Sequence, residues 1–140
     1  MTRDGGLKNL FRENLKTFDF QPIEMFLLAA GVPDLNFCVD GVEGWVELKS
    51  TSGHAVVVRP AQVGWAARRI RHGGRVFVAV RRRVDRGPRR GAPVDELWLF
   101  AGGAIGALAD YGLKGPAPAG KWDGGPVRWD WDAVARVLTH

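Results

Sequence analysis

The sequence predicts an α/β fold on a mixed sheet, with elements in the order helix, three strands, helix, strand (αβββαβ). Three observations lead there. Asp40-Gly41 separates two alternating segments, and Asp-Gly suits a type I′ hairpin turn, whose two central positions need φ > 0. Arg75 to Val80 contains an unbroken Val-Phe-Val-Ala-Val run, the pattern of a strand covered on both faces and paired in parallel through a helical crossover. Between them, Pro60 stands where prolines open helices and Gly73-Gly74 where glycines close them.

The remaining elements follow in order. Leu7, Leu10, Phe11 and Leu15 recur near helical spacing, so residues 6 to about 16 form an amphipathic helix. Residues 17–24, with Phe18, Phe20 and Pro22, read as strand or irregular structure. The hairpin of Asp34 to Lys49 comes next, then a polar break at 50–53 and a third strand at Ala55 to Val58. Residues 81–93 are dense in Gly, Pro and Arg and read as an exposed basic loop. Glu96 to Phe100 adds a strand, Ile105 to Tyr111 a short helix, and residues 112–125 read as irregular. Asp130 is a suitable N-cap for a last helix carrying Trp131, Val134, Ala135 and Leu138. The glycines at 102–106 match neither a dinucleotide fingerprint nor a phosphate loop, so no NTP site is expected.

The hairpin carries the chemistry. Counting outward from Asp40-Gly41 sets Val39 opposite Val42 and brings Asp34 opposite Glu47. The period of two gives Asp34, Asn36, Cys38, Trp45, Glu47 and Lys49 one face, and Leu35, Phe37, Val39, Val42, Val46 and Leu48 the other. Directly opposed carboxylates have Cβ atoms roughly 4.5 to 5.5 Å apart and destabilise a sheet unless a cation neutralises them. Read alone, Glu47 and Lys49 are simply solvated side chains; the partner acid at the matching register makes the case for a divalent metal.

Composition bounds the rest. A chain of 140 residues suits one domain with a single sizeable core. We divide it into a core at about 7–80, the basic loop at 81–93 and a C-terminal extension at 94–140. At 46% hydrophobic and 25% charged residues, the chain is not disordered. Cys38 is the only cysteine, which excludes an internal disulfide, leaves no cysteine pair for zinc and fits a reducing compartment. No apolar run approaches the roughly 20 residues needed to span a bilayer, and the first six residues are polar. The expectation is a soluble cytoplasmic protein.

The net charge of +5 is mostly arginine, crowded at 68, 69, 71, 75, 81, 82, 83, 86, 89 and 90. Guanidinium forks match phosphate oxygens, so DNA or RNA is the natural partner. Arg68, Arg69, Arg81, Arg82 and Arg83 are the candidate contacts. A solvated loop or an acidic protein partner is the plainer alternative. A membrane surface is disfavoured because no apolar helical face accompanies the cluster. The six tryptophans offer stacking surfaces for bases, although Trp65, Trp98 and Trp131 sit at core-like intervals.

Together, the first helix, Gly31-Val32-Pro33-Asp34, Glu47-Leu48-Lys49 and the helix bearing Gln62 resemble the PD-(D/E)XK nucleases of the restriction-endonuclease-like fold. The nearest likeness is to small VRR-NUC-type and Holliday-junction-resolvase-like enzymes, many of them carried by bacteriophages, where the setting would be the host cytoplasm. The resemblance covers roughly Leu7 to Val80. It implies that Asp34, Glu47 and the Leu48 carbonyl hold Mg²⁺ or Mn²⁺, whose oxygen preference and retained waters suit such a site. Lys49 would orient or help deprotonate the attacking water or stabilise charge on the phosphate. Gln62 would reach in to position water or phosphate, against the plain reading of a surface glutamine. An acid from the first helix would complete the site: Glu13, with Glu24 as competitor, each also readable as a solvated carboxylate. His54, near Lys49 in sequence, reads as a DNA contact or a bystander.

The chain departs from the family at residues 25–30, which are apolar where relatives tend to carry a polar, glycine-containing loop. The leading expectation is a metal-dependent endodeoxyribonuclease acting on plain or branched DNA, as a homodimer because cutting two strands takes two sites. The alternatives are a non-catalytic nucleic-acid-binding module on the same scaffold and an interaction protein for acidic partners.

Overall fold

A computed structural model of the chain describes residues 3–24, 31–85 and 91–140. Strands β1 (Asp19–Pro22), β2 (Leu35–Val39), β3 (Val42–Thr51), β4 (Val76–Val84), β5 (Val94–Ala101) and β6 (Gly120–Trp122) form a six-stranded sheet whose spatial order is the chain order. Only β3 and β4 run parallel, joined by helix α2 (Pro60–Arg71); every other neighbouring pair is antiparallel. Both outer strands are short: β1 has four residues and ends in proline, and β6 has three.

The alternation read from the sequence sorts the two faces. Leu35, Phe37, Val46, Leu48, Phe77, Ala79, Leu97 and Leu99 pack under Leu7 and Phe11 of α1 (Leu7–Asn14), and under Val134 and Leu138 of α4 (Trp131–Thr139). Val76, Val78, Val80 and Phe100 pack on the other face under Trp65 and Ala66 of α2, and under Ile105 and Leu108 of α3 (Ile105–Tyr111).

Local chemistry fixes the joints. Asp40 and Gly41 both have positive φ, 48° and 79°, and Val39 pairs with Val42 as the turn requires. At the end of α2 the Gly73 N–H donates to the Ile70 carbonyl and the Gly74 N–H to the Arg69 carbonyl, a Schellman closure. Asp130 Oδ1 accepts from the Ala133 N–H and caps α4.

Two expectations are corrected. Ala55 to Val58 is not a strand; the three strands ahead of α2 are β1, β2 and β3. β3 runs on to Thr51 along β4, and past the bend at 52–54 the chain is held by a side chain rather than a ladder, the Thr51 hydroxyl donating to the Ala55 carbonyl. Val56 instead packs into the α2 side of the core. Nor do residues 81–84 form a loop, because β4 continues to Val84 opposite β5.

Arg81 is buried there. Its Nε and Nη2 donate to the two oxygens of Asp95 at 2.9 and 2.7 Å, and its Nη1 donates to the Gly5 carbonyl at 2.7 Å. The Asp95 carbonyl in turn accepts from the Gly125 N–H and from the Trp129 indole. One ion pair therefore ties the first turn of the chain and the segment before α4 to the sheet. Residues 112–125, expected to be irregular, include a 3₁₀ turn at Gly112–Lys114 as well as β6. Among the described residues, no helix is long and apolar enough to cross a membrane.

Candidate active site

Strand β3 puts Glu47 and Lys49 on the face covered by α2. The β2–β3 ladder ends at Leu35 opposite Val46, which leaves Asp34 one residue beyond it, beside Glu47. There the Asp34 side chain takes over from the strand: its Oδ2 accepts the Leu48 N–H at 2.8 Å. In an extended strand a residue's N–H and C=O project to the same edge, so the Leu48 carbonyl faces the same gap.

The chain reaches Asp34 by a constrained route. Gly31 has φ 91°, and a Cβ there would collide with the carbonyl oxygen of Ala61 in the first turn of α2. Glycine thus lets Val32-Pro33-Asp34 dock against the turn that carries Gln62. Gln62 is buried and has two duties. Its Oε1 accepts the Arg59 N–H at 3.0 Å, the return half of a capping box at the start of α2. The same oxygen accepts from Lys49 Nζ at 3.0 Å, and Nε2 donates to Glu47 Oε2.

Glu47 is 3% exposed. Its Oε2 also lies 3.3 Å from Lys49 Nζ. Its Oε1 is the only buried side-chain polar atom among the described residues without a hydrogen-bond partner. Burial, then the neighbouring Asp34 carboxylate, push the Glu47 pKa up to about 8, against the pull of Lys49. A buried carboxylate beside a second one calls for a proton or a cation.

A pH dependence follows. Without metal, folded Glu47 keeps its proton up to about pH 8, whereas its ordinary pKa is 4.5. The native state then binds the extra proton, so this contribution to stability is complete below the ordinary pKa and is lost as pH rises through the folded one. Urea midpoints in EDTA should fall between pH 5 and pH 8, and Glu47→Gln should flatten that slope. An unchanged slope in the variant would refute the assignment.

The donor set fits a hard divalent cation. Asp34, the orphaned Glu47 Oε1 and the Leu48 carbonyl are all oxygens, as Mg²⁺ and Mn²⁺ prefer. Among the described residues no group of three or more His, Cys, Asp or Glu could hold a metal. The protein would thus supply two carboxylates and a carbonyl, leaving positions for water and phosphate.

The structure does not bring Glu13 to this site. It is exposed on α1, which packs through Leu7 and Phe11 on the opposite face of the sheet. Glu24 is also exposed; it follows Ile23, whose N–H donates to the Asp34 carbonyl.

The arginines divide as well. Arg68 is exposed. Arg69 lies over the rings of Trp45 and Trp65 at 5.3 and 4.8 Å. Arg81 is spent inside the fold, which corrects its reading as a nucleic-acid contact. Arg82 is bonded to the Gly53 carbonyl and to Glu96, and Arg83 is half-buried on β4. Arg86, Arg89, Arg90 and the apolar segment 25–30 lie outside the described residues. No protein-family model matches the chain, and no curated protein matches it.

Proposed function

We propose that this chain is a Mg²⁺- or Mn²⁺-dependent endonuclease of the PD-(D/E)XK type that hydrolyses phosphodiester bonds in DNA. The observation that carries the reading is the acid pair, half-buried Asp34 with the buried and orphaned Glu47, beside the ammonium of Lys49. A divalent ion held by Asp34, Glu47 and the Leu48 carbonyl would supply Lewis acidity toward the phosphate and lower the pKa of the attacking water.

The chain's own groups do the rest. Lys49, steadied by Gln62 and Glu47 at 3.0 and 3.3 Å, orients the water and offsets charge that builds on the phosphate oxygens. The water oxygen bonds to phosphorus as the bond to the leaving sugar oxygen breaks. Gln62 holds acid and ammonium in register. Because one centre cuts one strand, we infer a homodimer for double-strand cleavage, and Cys38 as a free thiol fits a cytoplasmic setting.

A non-catalytic nucleic-acid-binding module is the second reading. It is favoured by the closed Glu47–Gln62–Lys49 network, which can serve as a purely structural buried cluster. Plasmid cleavage with Mg²⁺, Mn²⁺ and EDTA separates the two, run beside linear duplex, four-way junction and flap substrates of equal sequence. Metal-dependent nicking that EDTA abolishes is expected; protein that binds DNA and cuts none of these forms is the binding module.

A further inference from the structure

Three chain segments meet just beyond the end of β3. Arg82, which pairs with Thr51 in the parallel register, donates from Nε to the Gly53 carbonyl at 2.8 Å. The Leu113 N–H donates to the His54 carbonyl at 2.8 Å, and a Cβ at Gly112 would collide with that carbonyl oxygen. The 3₁₀ turn is therefore pressed onto the bend that carries His54. Lys114 ends that turn, exposed and forming no ion pair among the described residues.

Opposed residues in the parallel pair face the same way, so Glu47, Lys49 and Thr51 on β3 share a face with Val78, Val80 and Arg82 on β4. Glu96 lies on that face and meets Arg82 at 3.2 Å and Lys121 at 3.3 Å; Asp123 meets the same Lys121 at 3.0 Å, so these four charges balance and exposed Lys114 is the cation left over. The fields overlap at His54: partial desolvation, then Arg82 and Lys114, lower its pKa, with Glu96 opposing. Two residues of strand, roughly 7 Å, separate Lys49 from Thr51, where the bend begins, about two nucleotide steps along one strand.

We propose that His54 and Lys114, set side by side by the bend that Arg82 anchors, form a phosphate-binding subsite for the backbone of the nucleic-acid strand that passes the cleavage centre. This rests on the nuclease reading of the Lys49 site. Arg82, held by the Gly53 carbonyl and neutralised by Glu96, fixes the bend, and the side chains of His54 and Lys114 turn toward the phosphate. The strand would cross the sheet from the β2 side, where Asp34 lies, to the β4 side.

The test is titration of a labelled duplex oligonucleotide in EDTA at several salt concentrations, with wild type, Lys114→Gln, the double variant His54→Gln/Lys114→Gln, and Lys16→Gln as a control. Lys16 is exposed just past α1. Lys114→Gln should weaken binding several-fold and reduce the slope of log affinity against log salt by about one, the share of a single phosphate contact. The double variant should bind more weakly still, with an unchanged thermal midpoint. The inference is overturned if both variants keep wild-type affinity and slope, or if Lys16→Gln loses as much. In either case the nuclease reading stands. Wild-type protein with no salt-dependent DNA affinity would sink both.

Discussion

Replacing Lys49 by alanine should lower metal-dependent DNA cleavage by about 10²- to 10³-fold, the usual cost of losing one preorganised charge at a transition state. The loss should appear in the maximal rate at saturating substrate, because the ammonium acts on charge that develops during the reaction. Glu47 complicates the measurement. Lys49 pulls its pKa down, so the variant holds its carboxyl proton harder and binds metal more weakly. The assay therefore needs Mn²⁺ raised until the rate stops increasing, and Lys49→Arg beside it to restore charge without the same reach. Cleavage within about twofold of wild type at saturating Mn²⁺ would remove Lys49 from the chemistry.

Arg81→Met should cost about 3 kcal/mol of folding stability, the low end for breaking a buried ion pair. The low end applies because the Asp95 side chain remains 19% exposed while that of Arg81 is 9% exposed. The loss comes from stranding Asp95, whose two oxygens both accept from the guanidinium, and from freeing the Gly5 carbonyl. Pairing the change with Asp95→Leu should recover part of it, since a buried pair replaced on both sides is often near neutral. Urea midpoints decide the matter. A loss below about 1 kcal/mol would class the pair with exposed ones.

What could be read in advance was local. The Asp40-Gly41 turn fixed the register that sets Asp34 beside Glu47, and the two-residue period fixed which face each side chain takes. Helices α2 and α4 were legible from Pro60, Gly73-Gly74 and Asp130 at their ends. Long-range information was missing. Whether Ala55 to Val58 could be a strand depended on how far β3 runs and on the bend that follows it, where the Thr51 hydroxyl bonds the Ala55 carbonyl. Composition made 81–93 a basic loop, but Arg81 and Arg82 face Asp95 and Glu96 across the β4–β5 pair, and only that pairing reveals internal neutralisation.

The site was legible in the same uneven way. Asp34, Glu47 and Lys49 converge because the turn rule already constrains them, whereas Gln62 was expected there only from the resemblance. Glu13 failed because helical spacing says which face of α1 is apolar but not which side of the sheet that face covers. The signal for Lys114 lies in Gly112, whose φ of 73° marks a tight approach, yet nothing in the sequence names His54 as the residue approached.

The rims of the sheet bear on how two copies could associate. At one rim Pro22 cannot donate to an incoming strand, and at the other only three residues are on offer. Continuous pairing of the sheet across a two-fold axis is thus poorly supported by this architecture. A symmetric pair would have to meet through helices or loops, and the distance between its two cleavage centres would be set by that contact rather than by strand spacing.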